Sequence, residues 1–186
     1  MIRSAHRSIA WALIALSVLL TGCGFALRGT QQVPAALQPL AVDCSNVPGG
    51  LCQSLKDQLA LNGVTVKDPS QADYLLRLSS FERQRRTSAI TTTAAAAEYT
   101  LRHSVALQVV TRDRIPLIEP ATLSAVEAYR YDETNVLAKR REEAALEQQL
   151  YNRLSQQIIF RLAPLTEARI RAMREQYEAR QPESGP

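Results

Sequence analysis

Cysteines are the most reactive side chains in this 186-residue sequence, which contains three of them. Cys23 directly follows a largely apolar segment, whereas Cys44 and Cys52 lie eight residues apart. A thiol can accept an acyl group, form a disulfide or bind a metal ion. The sequence has two histidines, and one of them, His6, lies near the N-terminus, so we expect no metal site.

The N-terminal segment has the pattern of a secretory signal peptide. Residues 1–8 contain Arg3 and Arg7 and no acidic residue, and residues 9–20, IAWALIALSVLL, form an apolar run. This run is too short to span a bilayer, and it is apolar on every face, which disfavours an amphipathic first helix. Residues 1–22 are therefore predicted to be removed, and the mature chain is expected in an oxidising compartment.

The residues at the predicted cleavage point resemble the bacterial lipobox. In Leu20-Thr21-Gly22-Cys23, small residues precede a cysteine whose thiol would accept a diacylglyceryl group. One acyl chain binds a membrane weakly, at about 0.8 kcal/mol per buried methylene, so lipoproteins carry two or three. Cys23 is therefore predicted to be the lipid attachment site. Gly24, rather than an aspartate, follows it, and in lipoproteins this implies sorting to the outer membrane.

Charge and composition exclude several classes of function. Without residues 1–22 the chain has 20 basic and 18 acidic residues, too even a balance for a nucleic-acid-binding face. His103 is then the one remaining histidine, so no Ser-His-Asp set can be assembled around a second one. We expect no enzymatic activity and no cofactor. Cys44 and Cys52 could form a disulfide or remain two buried free thiols.

Hydrophobic periodicity predicts an α+β fold in a single domain, with two helices packed on one face of a four-stranded sheet. The domain is expected over residues 37–165, after a lipidated tether at 23–36 and before a polar, disordered tail at 166–186. The predicted strands are 37–44, 73–82, 98–110 and 121–131, and the helices are 49–62 and a long one from Thr134 to Pro164. In the third strand, His103 falls on the apolar side and is interpreted as a packed residue.

Three segments resemble the lipopolysaccharide-assembly lipoprotein LptE family: CGFALRG after the lipobox, AEYTL at 97–101, and the run from 131 to 162 that contains VLAKRREE. The resemblance implies an outer-membrane lipoprotein that faces the periplasm. Such a protein plugs a partner β-barrel, LptD, assists its assembly and takes part in delivering lipopolysaccharide to the outer leaflet. The alternative is a structural lipoprotein that does not bind lipopolysaccharide.

Lipopolysaccharide carries phosphates, so its site should present cationic side chains. We identify Lys139, the lysine of the LAK motif, and the pair Arg85 and Arg86, which with Arg83 is expected at the end of the second strand. Solvent-exposed charge runs are the alternative interpretation of both places. The loop at 88–97, SAITTTAAAA, is predicted to face the lumen of the barrel.

Overall fold

The computed structural model describes residues 33–90, 92, 96–130 and 136–180. They belong to one compact unit that begins at Gln31. Its sheet consists of β1 (Leu40–Asp43), β2 (Tyr74–Ile90), β3 (Ala96–Thr111) and β4 (Pro116–Arg130), and its helices are α1 (Gly49–Leu61), α2 (Val136–Leu162) and α3 (Glu167–Arg180). Short 3-10 helices cover Ala35–Leu37 and Pro69–Gln71.

The strands follow one another across the sheet in chain order. β1 runs parallel to β2, and the pairs β2–β3 and β3–β4 are antiparallel. The parallel connection contains α1, as a crossover between parallel strands requires. The expected fold class, a four-stranded sheet with helices on one face, is therefore confirmed.

The core lies between one face of the sheet and the helices. In α1 the buried leucines 51, 55 and 59 recur every four residues, and α2 buries its own row from Leu150 to Leu162. From the sheet, alternate residues of β3 from Leu101 to Val109 enter the same core. The opposite face of the sheet is not covered by a helix of the described unit, and we call it the open face.

A β-bulge in β2 changes which residues face the core. Ser79 pairs with Ala106 and Glu82 with Ser104, so β2 contains one extra residue at this point. Ser80 accommodates it with a φ of 50°, in the left-handed region. Before the bulge the even-numbered Leu76 and Leu78 are buried, whereas from Phe81 to Thr87 the odd-numbered positions lie on the core side.

Several boundaries differ from the sequence-based prediction. The expected tether at 23–36 is wrong for residues 33–36, because Val33 is buried in the core and a 3-10 helix begins at Ala35. β4 begins at Pro116 rather than at residue 121. The expected disordered tail at 166–186 is wrong for residues 167–180, which form α3 with Ile170 buried and Met173 packed against the core. The sequence pattern did not indicate this helix, because the segment has few apolar residues, and Ile170 and Met173 suffice to pack it against the core. Residues 181–186 lie outside the described part. β2 and β3 also extend further than predicted, so residues 88–90, 96 and 97 of the expected loop are strand residues.

The long helix ends at Leu162, two residues before Pro164, as the proline predicts. Of the described helices, none combines the length and the apolarity that crossing a bilayer requires.

Candidate anion-binding site

The bulge places Arg85 and Arg86 on opposite faces of the sheet. Arg85 pairs with Leu101 and therefore lies on the core side, above the buried layer, whereas Arg86 pairs with Thr100 on the open face. The sequence-based expectation of one arginine cluster at the end of β2 is therefore wrong. The pair lies within the strand, which continues to Ile90, and neighbouring strand residues point to opposite sides.

Arg85 lies among aromatic and acidic groups. Its guanidinium carbon is 5.0 Å from the centre of the Tyr99 ring, and its Nη1 is 3.6 Å from a carboxylate oxygen of Glu143 on α2. Tyr99 and Tyr129 are a cross-strand pair with ring centroids 5.8 Å apart, and the Tyr129 hydroxyl donates to Glu143 at 3.2 Å. A hydrogen bond with Tyr129 and the charge of Glu143 raise the pKa of Arg85. This side chain is a permanent cation, 53% exposed.

Lys139 lies in the first turns of α2, one helical turn before Glu143. Its ammonium donates to Glu142 at 2.7 Å, and its side chain is only 20% exposed. Arg85 pairs with Glu143, and Lys139 pairs with the adjacent Glu142. Two of the cations that were predicted from distant parts of the sequence therefore have neighbouring glutamates near the start of α2 as partners.

The start of α2 is electrostatically unusual. Its first turn contains no acidic residue, and Lys139 is followed by the exposed Arg140 and Arg141. Unsatisfied N–H groups make a helix N-terminus electropositive, so each cation there destabilises the helix by about 0.3–1 kcal/mol. An anion bound at this end would relieve both sources of positive potential.

Glutamates of α2 partly neutralise the cations on the core side. Arg83 Nη1 is 2.5 Å from a carboxylate oxygen of Glu147, and Arg85 and Lys139 have Glu143 and Glu142 as partners. In each pair one partner is about half exposed, namely Arg83, Arg85 and Glu142, so solvent screens the attraction and each pair stabilises the fold by at most about 1 kcal/mol. An anionic ligand could therefore replace a glutamate at small cost.

His103 is a packed core residue, as predicted. It is completely buried, and its ring lies 5.4 Å from that of Phe81 and 5.3 Å from that of Tyr151. Neither ring nitrogen has a hydrogen-bond partner among the described residues. Burial, followed by the nearby charge of Arg83, lowers the pKa of His103 to about 4. The imidazole is therefore neutral at pH 7.

The remaining predicted residues are placed as follows. Cys44, just after β1, is joined to Cys52 of α1 by a disulfide, with 5.9 Å between the two Cα atoms. Cys23 lies outside the described residues, as does most of the tip between β2 and β3. Within the described ranges, no group of three potential ligands could hold a metal ion.

Sequence reasoning missed Glu143 and Arg102. Glu143 was one of several acids in a charged helix, and its contact with Arg85 depends on the parity change at the bulge. Arg102 had a visible signal, because it is the basic residue on the polar side of the alternating third strand.

Two solved structures of bacterial lipoproteins share this fold. A minor lipoprotein from Acinetobacter baumannii is 28% identical, with a TM-score of 0.55 over 67% of this chain and 88% of that one. The rare lipoprotein B from Shewanella oneidensis is 25% identical, with a TM-score of 0.59 over 67% of this chain and 93% of that one. The fold is thus shared with a class of lipoproteins.

The family can be stated more closely from sequence comparison. Residues 37–162 match the family model described as "LptE: Lipopolysaccharide-assembly". The LPS-assembly lipoprotein LptE of Yersinia enterocolitica is 34% identical over 173 residues, which cover 91% of this chain and 82% of that protein. The LptE of Yersinia pestis strain Pestoides F is 33% identical over 89% of this chain. The chain belongs to the LptE family of lipopolysaccharide-assembly lipoproteins, and the predicted resemblance is confirmed.

Proposed function

We propose that this lipoprotein is anchored in the outer membrane through acyl chains on Cys23. There it plugs an LptD-like β-barrel, assists the assembly of that barrel, and binds lipopolysaccharide on its way to the outer leaflet. It acts by binding and positioning, without catalysis. Membership of the family supports the assembly role. The proposed anchoring rests on Cys23, and the proposed binding of lipopolysaccharide rests on Lys139 and Arg85.

The pairing of Lys139 and Arg85 with adjacent glutamates of α2 supports the ligand proposal. These two cations are 54 positions apart in the sequence, and their partners, Glu142 and Glu143, lie near the start of a helix that has no acid in its first turn. A lipid phosphate would accept charge-assisted hydrogen bonds from both side chains, each worth more than a neutral hydrogen bond. The ring of Tyr99 holds the guanidinium of Arg85 in place, which lowers the entropy lost on binding.

A specific observation supports the alternative, a structural subunit without lipopolysaccharide binding. Each cation on the core side already has a glutamate partner on α2. In that case the pairs of Arg83 and Arg85 would only hold α2 against the sheet, and the pair of Lys139 with Glu142 would only stabilise the start of α2.

Binding measurements separate the two functions. The full-length protein in detergent is titrated with lipopolysaccharide. The double variant Lys139→Glu and Arg85→Glu is compared with a charge-matched control, the double variant Lys56→Glu and Lys67→Glu, which changes two other exposed lysines. We expect at least a tenfold loss of affinity in the double variant and little change in the control. Glu143→Gln should tighten binding several-fold, because it removes the acid that competes with the phosphate.

Equal affinity of the double variant and the control would leave only the structural role. Absence of binding by the unchanged protein would have the same consequence. The anchor is tested separately. Cys23→Ser should abolish incorporation of labelled palmitate and release the protein from the membrane fraction. Palmitate labelling of the Cys23→Ser variant would refute the attachment site.

A further inference from the structure

On the open face, Arg86 and Arg102 line a cavity of about 220 Å³ together with Gln84, Thr100 and Val126. We infer that this cavity is a second phosphate-binding site, separate from the cluster at Glu143 on the other side of the sheet. The inference deepens the proposed function and rests on it, since the ligand is the phosphorylated head of the same glycolipid. It assigns a role to Arg86 that differs from the role of its neighbour Arg85.

The register of the sheet brings the two arginines together. Gln84 pairs with Arg102 across β2 and β3, and Arg86 pairs with Thr100. The two guanidinium groups therefore start from diagonal positions on one face, roughly 7–8 Å apart at the backbone, and long side chains can span such a separation. A single phosphate between them could accept hydrogen bonds from both.

The charges of this cavity differ from those of the core side. Two arginines, a glutamine and a threonine line the cavity, and each of these side chains can donate hydrogen bonds. No carboxylate is among the lining side chains. Arg102 donates to the Ser124 hydroxyl at 3.2 Å, and Arg86 has no hydrogen bond or ion pair among the described residues. In contrast, Arg83 and Arg85 both have glutamate partners. An anion can therefore bind here without displacing an internal acid.

The surroundings of the cavity favour an amphiphilic phosphate over a free one. Val126, which pairs with Arg102 across β3 and β4, is 42% exposed, and the neighbouring Ala128 is exposed as well. Two acids lie near the cavity on the same face: Glu82, beside Gln84, and Glu98, which accepts a hydrogen bond from Ser88 at 2.8 Å. Neither acid lines the cavity, and neither forms an ion pair with Arg86 or Arg102 among the described residues.

The test uses a full-length double variant, in which Arg86→Gln and Arg102→Gln are combined. A second double variant, Arg77→Gln and Arg130→Gln, is the control. The control removes two exposed arginines from the same face, at positions outside the cavity. Each protein is titrated in detergent with lipopolysaccharide and with the same lipopolysaccharide after removal of its lipid A phosphates. Circular dichroism verifies that both variants are folded.

We expect the cavity variant to lose affinity by at least tenfold, the control to change less than threefold, and the loss to vanish with dephosphorylated ligand. Normal binding by the cavity variant would overturn this site and leave the proposed function intact. Absence of binding by the unchanged protein would overturn both. If the cavity variant binds lipopolysaccharide normally and instead fails to co-purify with the barrel, the occupant is an acidic protein segment and the phosphate assignment is wrong.

Discussion

Replacing His103 by phenylalanine should make the protein more resistant to acid. The imidazole is completely buried between Phe81 and Tyr151, and its two nitrogens have no partner among the described residues. A phenyl ring preserves the aromatic packing and removes both unsatisfied polar atoms. Such atoms destabilise a fold by about 1–3 kcal/mol, and part of this gain is offset because phenylalanine is slightly larger.

The sign of the pH dependence follows from the lowered pKa. Because the folded state disfavours the charged imidazole, with a pKa of about 4 against 6.5 for a free histidine, the unfolded chain binds a proton first as the pH falls. Stability is therefore complete above pH 6.5 and is lost progressively as the pH falls to 4. This shift corresponds to about 2 kcal/mol lost between pH 7 and pH 5, and about 3 kcal/mol below pH 4.

The assay is urea denaturation at several pH values, followed by far-ultraviolet circular dichroism because the single tryptophan, Trp11, lies in the predicted signal peptide. Other titrating groups are common to both proteins, so the difference between them isolates His103. We expect His103→Phe to be about 1 kcal/mol more stable at pH 7 and about 3 kcal/mol more stable at pH 5. A stability difference that does not change with pH would refute the reasoning.

Two further predictions concern the packing around α1. Gly50→Ala should destabilise the protein by about 1 kcal/mol, because the new Cβ would lie 2.9 Å from the Tyr151 ring, whereas Gly49→Ala meets no atom within 4 Å and should be neutral or stabilising. Equal melting temperatures of the two variants would contradict the close contact. Replacing Cys44 and Cys52 by serine should lower the free energy of unfolding by about 2 kcal/mol, since the disulfide closes a short loop. A reducing agent should destabilise the parent protein similarly and leave the double variant unchanged.

Periodicity predicted the fold because each main element carries a regular apolar pattern. The leucines of α1 and α2 recur every four residues, and alternation in β3 marks the buried side of the sheet. α3 escaped prediction because Ile170 and Met173 are its only apolar contacts with the core among the described residues. Such a helix depends on tertiary docking rather than on its own pattern.

The site was predicted only in part, for a geometric reason. Alternation along β2 assigns each side chain to a face, and one extra residue at Ser80 reverses that assignment as far as Thr87, after which the register shifts again. Spacing alone could not show that Arg85 meets Glu143 while Arg86 faces the opposite side. The LAK motif identified Lys139, and its contact with Glu142 follows from helical spacing, whereas the contact of Arg85 with Glu143 depends on how α2 packs against the sheet.

The central proposal, that this lipoprotein forms a complex with an LptD-like barrel, is tested most directly by co-purification. The chain is tagged at its C-terminus, expressed in its own bacterium, and isolated from detergent-solubilised outer membranes. Proteins in the eluate are quantified by mass spectrometry. We predict that one large outer-membrane β-barrel is recovered in a one-to-one ratio with the tagged protein. We also predict that this barrel is lost from the membrane when the lipoprotein is depleted. Recovery of the lipoprotein without a stoichiometric barrel would contradict the account.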